Sequence, residues 1–422
     1  MRRSPLIVIF TTVFIDLVGF GIVIPVLPFY AEGTIFNATP RMVGLLFASY
    51  SIMQLIFSPI LGNLSDKYGR RPVLLLSIIG TGIGFLVLGL AQTLLMLFIG
   101  RILDGITGGN ISTAQAYIAD ITTKENRAKG MGMIGAAFGL GFILGPAIGG
   151  ILSGWGIQVP FFFAAALCFA NAFLLYFTLP ETVTADHPAK NRAAGGRSLR
   201  QILASLKQPR LSFVLVIYFL FVVAFSIMTT SFSLYTMFRF GYDAQHTGYL
   251  FAYVGVIAVI IQGGLIGRLV KRFGELPLVV VGALCFAISL FAVPFVGPAA
   301  GGLAGLLIGG GVFSMGNSLA TPALTSLASK SVSAEQQGVV LGVTQSTASL
   351  ARAVGPSLAA LLIDSHSAHL GADGLPHYMS DHSLFVTFWT GAAIMLVAAV
   401  LAMYFSKKSE TSFGFSRQTA TD

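Results

Sequence analysis

Residues 62–69 read GNLSDKYG, and residues 267–274 read GRLVKRFG. The two stretches lie about 205 residues apart, and each directly follows a long apolar segment. A second landmark repeats at a similar offset, because Gly145-Pro146 returns as Gly355-Pro356. Matched landmarks at nearly one offset predict a chain built from two halves of similar design, as in many transporters.

The composition indicates a membrane protein. The chain has 422 residues, of which 55% are hydrophobic and 10% are charged, and its mean hydropathy is +0.83. An average soluble domain has about 25% charged residues, so soluble domain arrays and disordered chains are excluded. A membrane helix needs about 20 apolar residues. We predict twelve spans, at residues 5–31, 41–63, 72–93, 94–121, 129–154, 158–180, 210–238, 245–267, 276–297, 300–327, 336–363 and 383–406.

The distribution of basic residues predicts the orientation. Of the 25 Lys and Arg residues, Arg41 and Arg239 fall on one side, Arg101 and Arg352 fall inside spans, and the other 21 fall on the side of the N-terminus. Cytoplasmic loops carry such an excess. We therefore expect both termini in the cytoplasm. The net charge of +9 needs no nucleic acid partner.

The expected fold is an all-α polytopic membrane protein with two pseudo-symmetric six-helix bundles. We assign residues 1–180 to the first bundle, 181–209 to a cytoplasmic linker, 210–406 to the second bundle and 407–422 to a cytoplasmic tail. The two cysteines lie in apolar runs and suggest no disulfide or zinc site. We expect no cofactor and no metal. The histidine-rich loop 364–382 could bind metal, but its spacing matches no defined site, so we favour a solvated loop.

Four motifs suggest a known family. They are residues 19–28 (GFGIVIPVLP), 62–72 (GNLSDKYGRRP), 101–108 (RILDGITG) and 141–150 (GFILGPAIGG). Together and in this order they resemble the major facilitator superfamily, more closely its twelve-span drug:proton antiporters, and most closely the tetracycline-efflux branch. That branch also carries acidic residues within spans 3 and 9, where the predicted spans of this chain have none.

The resemblance implies the major facilitator fold and a proton-coupled antiporter in the bacterial inner membrane. Such a protein would export small amphipathic or lipophilic compounds by alternating access, with protons, the small-molecule substrate and the lipid bilayer as its partners. A proton symporter or facilitator for a metabolite is the alternative. A membrane-embedded enzyme or sensor is less favoured, since the sequence shows neither a nucleophile–base pair nor a signalling domain.

Four ionisable residues fall inside predicted spans: Asp16, Arg101, Asp104 and Arg352. A charge at the bilayer centre costs about 2.5–3.5 kcal/mol on insertion scales, so such groups usually face a cavity or a partner. We predict Asp16 and Asp104 as proton carriers and Arg101 as the coupling residue beside them. Alternatively, Arg101 and Asp104 only neutralise each other. Arg352 either pairs with Asp16 or Asp104 across helices or meets an anionic group of the substrate.

Polar stripes on otherwise apolar spans predict the lining of a central cavity. Its candidates are Gln54, Ser112, Gln115, Ser226, Thr230, Asn317, Thr321, Gln345 and Arg352. The alternative for each hydroxyl or amide is a hydrogen bond between helices, often worth only about 0.6 kcal/mol.

The loop after span 2 is a candidate cytoplasmic gate. Its members are Gly62, Asp66, Gly69, Arg70, Arg71 and, from span 4, Asp120. We expect charge pairing among them to hold that side closed and to break during inward opening. Because Lys271 and Lys330 replace the two aspartates in the second half, we expect no second copy of the cluster. The alternative is membrane anchoring with ordinary turn chemistry.

Span 5 is unusually rich in small residues. Gly141, Gly145 and Gly149 are four apart, and Pro146 lies among them. Small residues allow close helix contact, and proline bends a helix. The resemblance associates this motif with antiporters. We predict a hinge or seal in the outer half of the first bundle, with simple packing as the alternative.

Overall fold

Twelve long apolar helices form the fold in the part of the chain that the structure describes. The computed structural model describes residues 5–33, 35–122, 127–182, 209–332, 337–364 and 367–412. The helices are α1 Pro5–Glu32, α2 Pro40–Tyr68, α3 Arg70–Gly89, α4 Leu94–Ile121, α5 Arg127–Ser153, α6 Val159–Thr178, α7 Pro209–Phe240, α8 Ala244–Phe273, α9 Glu275–Ala292, α10 Gly302–Lys330, α11 Gln337–Ile363 and α12 Asp381–Ser412. All twelve contain a stretch long and apolar enough to cross a membrane, which confirms the predicted fold class. Most of the predicted linker and of the predicted tail lies outside the described residues.

Helix ends follow local sequence signals. Gly69, between α2 and α3, has φ 107°, and Gly274, between α8 and α9, has φ 78°. Only glycine adopts this region readily, so the final glycine of each repeated motif allows the sharp reversal there. The Thr39 and Asp243 side chains accept hydrogen bonds from backbone N–H groups in the first turns of α2 and α8, which satisfies donors that a helix start otherwise leaves unpaired.

Two helices depart from regular geometry. We expected an uninterrupted span over 94–121, but α4 breaks at Gly108-Gly109 into Leu94–Thr107 and Asn110–Ile121. Two consecutive glycines weaken a helix by about 1 kcal/mol each relative to alanine, and the freed carbonyl of Gly108 accepts a hydrogen bond from Nε2 of Gln54 at 3.0 Å. In the second half, α8 contains a π-helical turn at Ile261–Leu265.

The helices form two bundles with equivalent packing. In the first bundle α1 packs on α5 and α3 packs on α6; in the second, α7 packs on α11 and α9 packs on α12. The bundles meet mainly where α2 contacts α11 and where α5 contacts α8. The two interfaces are equivalent, because α2 and α5 of the first bundle correspond to α8 and α11 of the second. A pseudo-two-fold repeat is expected to show this equivalence.

The two ends of the molecule differ in how closely the bundles approach. We call the end that carries Lys67, Arg70, Arg71, Lys271, Arg272 and Lys330 the basic end. At the opposite end α5 meets α8 backbone to backbone, at Gly150 and Gly248. Near the basic end, no described atom lies within 4 Å of where a Cβ would stand at Gly132 of α5 or at Gly263 of α8. The bundles are therefore joined at the opposite end, and the space beside these two glycines is open near the basic end.

Candidate functional site

A cavity of about 630 Å³ lies between the two bundles. Residues of α1, α2, α4, α5, α7, α8, α10 and α11 line it, and it extends to Ser326 and Ser329 near the basic end of α10. Its walls are mostly aromatic rings and neutral polar groups. This volume falls within the range of small-molecule sites, about 300–1,000 Å³.

The cavity brings together most of the polar residues predicted to line it. Both bundles contribute, and the second contributes more. The lining members are Gln115, Ser226, Thr230, Asn317, Thr321, Gln345 and Arg352.

Two predicted lining residues do not line this cavity. Ser112 points toward α2, where its hydroxyl donates to the carbonyl of Ser58 at 2.8 Å, so it forms a hydrogen bond between helices. Gln54 is buried next to the cavity, where its Nε2 donates to the hydroxyl of Tyr50 at 2.8 Å. The sequence predicted both as lining residues, but the structure uses their polar atoms in hydrogen bonds between α2 and α4.

Arg101 and Asp104 form a buried ion pair. Nη1 of Arg101 lies 2.7 Å from Oδ2 of Asp104, and the Arg101 residue is fully buried. Its guanidinium also stands over the ring of Tyr50, 4.3 Å from the centroid. Its Nε and Nη2 atoms have no hydrogen-bond partner among the described residues. The pair is compatible with the coupling role and with mutual neutralisation.

Asp16 is buried without a cationic partner among the described residues. It is 9% exposed, and Nδ2 of Asn110 donates to its Oδ1 at 3.3 Å. Asn110 is the first residue of α4 after the glycine break. Sequence reasoning missed Asn110, and the signal available was a polar residue directly after two glycines inside an apolar span. A carboxylate in this position can be neutralised by a proton or by a cation.

Arg352 pairs with neither aspartate. Its Nη2 donates to Oγ of Ser349 at 3.2 Å and to Oε1 of Gln54 at 3.5 Å, and both partners are neutral. Asp104 is already bound to Arg101. Of the two alternatives for Arg352, pairing across helices with Asp16 or Asp104 is wrong for this structure. The guanidinium lines the cavity instead.

The predicted gate residues cluster around Arg70. Its guanidinium forms ion pairs with Asp66 and, at 3.1 Å, with Asp120, and it donates to Oγ of Ser65 at 2.6 Å. Glu181, just after α6, accepts hydrogen bonds from the backbone N–H of Arg70 at 3.0 Å. It also accepts from the N–H of Arg71 at 3.1 Å, so it caps α3. Sequence reasoning assigned Glu181 to the linker and missed this role.

The other predicted gate residues support the same cluster. Arg71 donates to the carbonyl of Tyr176 at 2.5 Å and stands over the Tyr176 ring. Gly62 provides the carbonyl that accepts from Ser65 at 2.7 Å. The Arg71 contacts join α3 to α6, and the Gly62 contact lies within α2. The cluster is intact in this conformation, and the expectation that it breaks during inward opening stays a prediction.

The second bundle contains a charge-reversed counterpart, contrary to our expectation. Glu275 begins α9, directly after Gly274, as Arg70 begins α3 after Gly69. Lys330 ends α10 and forms an ion pair with Glu275, which also accepts a hydrogen bond from Ser326 at 3.0 Å. The acidic Glu275 therefore stands where the first bundle has Arg70, and the basic Lys330 stands where it has Asp120. The predicted span 9 began one residue too late to include this glutamate.

The glycine motif of α5 packs on α1. A Cβ at Gly145 would lie 2.6 Å from the Cα of Gly21, and one at Gly149 would lie 2.7 Å from the carbonyl oxygen of Ile22. Gly141 meets Leu17. Pro146 lines the cavity. The motif therefore allows backbone contact between α1 and α5 on one side and shapes the cavity on the other.

At the opposite end a histidine links the two bundles. His377, in the two-residue strand Pro376–His377, contacts Oε2 of Glu32 at 3.1 Å through Nδ1. Its Nε2 lies 2.9 Å from Oδ2 of Asp373. Burial lowers the pKa of His377, but the two acidic partners outweigh burial, so its pKa is raised above the usual value. The described residues contain no group of three or more His, Cys, Asp or Glu arranged to hold a metal ion; His366 of this loop lies outside them.

Two six-helix bundles around a cavity that opens near one end define a secondary transporter. The Major Facilitator Superfamily model matches residues 9–356 and, in a second match, residues 265–420. The chain belongs to this superfamily.

Similar proteins include drug-resistance transporters. The tetracycline resistance protein, class H, of Pasteurella multocida is 31% identical over 421 residues, which cover 97% of this chain and 98% of that protein. The class B protein of Escherichia coli is 34% identical, covering 82% and 86%. Multidrug resistance protein 2 of Bacillus subtilis is 31% identical, covering 86% and 90%.

Solved structures share the fold. The human organic anion transporter MFSD10 aligns with a TM-score of 0.67 at 24% identity, covering 95% of this chain and 99% of that one. The D323A mutant of the nucleoside transporter NupG aligns with a TM-score of 0.73 at 14% identity and the same coverage.

Proposed function

We propose that this chain is a proton-coupled antiporter that exports lipophilic compounds from the cytoplasm. The basic end faces the cytoplasm, and the structure corresponds to the state that loads substrate from that side. The observation that supports this best is the aromatic-lined cavity, which extends toward the basic end and lies between bundles that are joined at the opposite end. Relatives named for tetracycline and multidrug resistance support export as the direction.

Protons are carried by Asp16 and Asp104, with Arg101 as the coupling residue. Asp16 lacks a cationic partner among the described residues and is held by Asn110. Asp104 is held by Arg101. Protonation of Asp104 would weaken its ion pair and free the Arg101 guanidinium to turn elsewhere. In this way a proton taken up behind the cavity can change the packing of α4 against α2, because Arg101 also lies over Tyr50 of α2.

The energy available is sufficient for export. One charge that moves down about 100 mV supplies about 2.3 kcal/mol. At about 1.4 kcal/mol per tenfold change in concentration, one proton per cycle sustains roughly a 40-fold gradient of a neutral solute.

Transport in membrane vesicles tests the proposal. Everted vesicles that contain the protein are energised with an imposed pH gradient, and uptake is followed for tetracycline and for neutral, cationic and anionic aromatic compounds. We expect accumulation that collapses when the gradient is dissipated. Accumulation only under the reversed gradient would instead identify a symporter. Uptake that equilibrates without any gradient would identify a facilitator.

Matched variants test the proton carriers. We expect Asp16→Asn and Asp104→Asn to lose gradient-driven accumulation. Asp243→Asn, an exposed helix cap at the opposite end, serves as the control and should retain it. If both carrier variants keep full accumulation, the assignment of the proton carriers is wrong.

A further inference from the structure

We infer that the cavity selects compounds that join an aromatic body to an anionic group, and that Arg352 binds the anionic group. The substrate class rests on the proposed function, because it concerns the same cavity.

Arg352 is the only charged residue among the described residues that line the cavity. It is half-buried, and the two hydrogen bonds described for it go to the neutral Ser349 and Gln54. The other buried arginine, Arg101, differs in both respects, because it is ion-paired and lies outside the cavity lining. The cavity therefore presents one positive charge without a countercharge from the described residues.

The hydrogen-bonding capacity of Arg352 is largely unused. Both described bonds come from Nη2, and a guanidinium has five N–H donors on three nitrogens. The N–H groups of Nε and Nη1 have no partner among the described residues, and each can donate a charge-assisted hydrogen bond to a carboxylate. A buried cation within the membrane is costly until it meets an anion, so an anionic substrate gains more at this position than a neutral one.

Aromatic rings that line the same cavity as Arg352 can hold the rest of the substrate. Phe20 of α1 contacts Phe142 of α5, with ring centroids 5.4 Å apart. Phe142 contacts Phe225 of α7 at 5.9 Å across the two bundles, and Phe225 contacts Phe313 of α10 at 6.0 Å. All four rings line the cavity. Edge and face contacts of this kind favour a planar aromatic body.

The described lining of the cavity offers no acidic side chain that could pair with a lipophilic cation. The described cavity lining contains no Asp or Glu, because Asp16 and Asp104 lie behind it. A cationic compound would lose its hydration and meet a like charge at Arg352, which disfavours it. A preference for anionic over cationic compounds therefore distinguishes this cavity from one that binds any lipophilic compound.

Three probes with one aromatic body test this selectivity. Binding of 2-naphthoate, 2-naphthamide and 2-naphthylmethylammonium to the purified full-length protein is measured by isothermal titration. We expect 2-naphthoate to bind at least about tenfold more tightly than the ammonium compound, since the Arg352 guanidinium attracts the carboxylate and repels the ammonium group. Equal or tighter binding of the ammonium compound, or no saturable binding of 2-naphthoate, would overturn the inference. This comparison needs only the unmodified protein.

Variants then test the role of Arg352. R352Q should weaken 2-naphthoate binding about tenfold or more and leave 2-naphthamide within about twofold, whereas R352K should keep most of the preference for the anion. An unchanged preference for 2-naphthoate in R352Q would refute the assignment of Arg352. Vesicle uptake separates this inference from the proposed function: if 2-naphthoate binds selectively but a proton gradient does not drive its accumulation, the antiport proposal fails and the anion site stands.

Discussion

Removing one partner of the Arg101–Asp104 pair should destabilise the protein far more than removing both. Nη1 of Arg101 and Oδ2 of Asp104 are 2.7 Å apart in a fully buried setting. At this separation two unit charges attract by about 6 kcal/mol at an effective dielectric constant of about 20. Asp104→Leu removes that attraction and leaves a buried guanidinium with the Tyr50 ring as its remaining described contact.

The magnitude follows from the cost of an uncompensated buried charge. Each single variant, Asp104→Leu or Arg101→Met, should lower the free energy of unfolding by about 3–5 kcal/mol. The double variant should lie within about 1–2 kcal/mol of the wild type, because apolar side chains of similar volume often replace a buried ion pair without loss. The two single effects are therefore expected to be strongly non-additive.

The assay is reversible unfolding by sodium dodecyl sulfate in mixed micelles, followed by far-ultraviolet circular dichroism. The exposed pair Asp243–His246 supplies a control cycle, and its coupling energy should stay below about 1 kcal/mol. The reasoning is refuted if the free energy of unfolding of Asp104→Leu lies within about 1 kcal/mol of the wild type. It is also refuted if the double variant loses the sum of the two single effects, because the two residues would then not depend on each other. A stable double variant that keeps full gradient-driven transport would reduce the pair to a structural role.

Two further predictions concern the link at the opposite end and the glycine motif. The pKa of His377 is raised in the folded protein. The stability that His377 contributes is therefore fully present below its pKa in the unfolded chain, about 6.5, and is lost as pH rises through its pKa in the folded protein. The melting temperature of the wild type should therefore fall relative to that of His377→Gln between about pH 6 and 9, and a constant difference would contradict this link. Gly145→Ala should lower the free energy of unfolding by about 1–3 kcal/mol, because its Cβ would lie 2.6 Å from the backbone of Gly21. Gly267→Ala, with no described atom within 4 Å of its Cβ, should be neutral or stabilising by about 0.5–1 kcal/mol, and equal losses in both variants would refute the packing argument.

The spans could be predicted because hydropathy and helix length are properties of consecutive residues. Their bounds agree with the structure to within a few residues at most ends. The cavity lining could be predicted in part for the same reason, since polar stripes such as Asn317 and Thr321 mark one face of a regular helix. Ser112 shows the limit: its hydroxyl donates to a carbonyl of α2, a partner that the stripe does not reveal.

Partners across helices could not be predicted from the sequence. The hydrogen bond of Asn110 to Asp16 depends on how two helices rotate against each other. The same is true of Arg352, for which a pairing with either aspartate was equally compatible with the sequence. Glu275 was missed for a different reason, because its role appears only when the repeat is aligned position by position with the turn glycines. In that alignment an acidic residue replaces Arg70 and a basic one replaces Asp120.

An anionic substrate also changes the energetics of the proposed cycle. Exchange of one proton for a neutral compound moves one charge across the membrane, whereas exchange for a monoanion moves two. At about 100 mV these cycles draw about 2.3 and 4.6 kcal/mol from the membrane potential, which correspond to gradients of roughly 40-fold and 2,000-fold.

Proteoliposomes with a potassium diffusion potential and no pH gradient test this difference between the two cycles. Accumulation of 2-naphthoate should rise about twice as steeply, on a logarithmic scale, with applied potential as accumulation of 2-naphthamide. Equal slopes would mean that the anion leaves together with a compensating proton, and Asp16, which has no cationic partner among the described residues, would then be the group that binds this outward-moving proton.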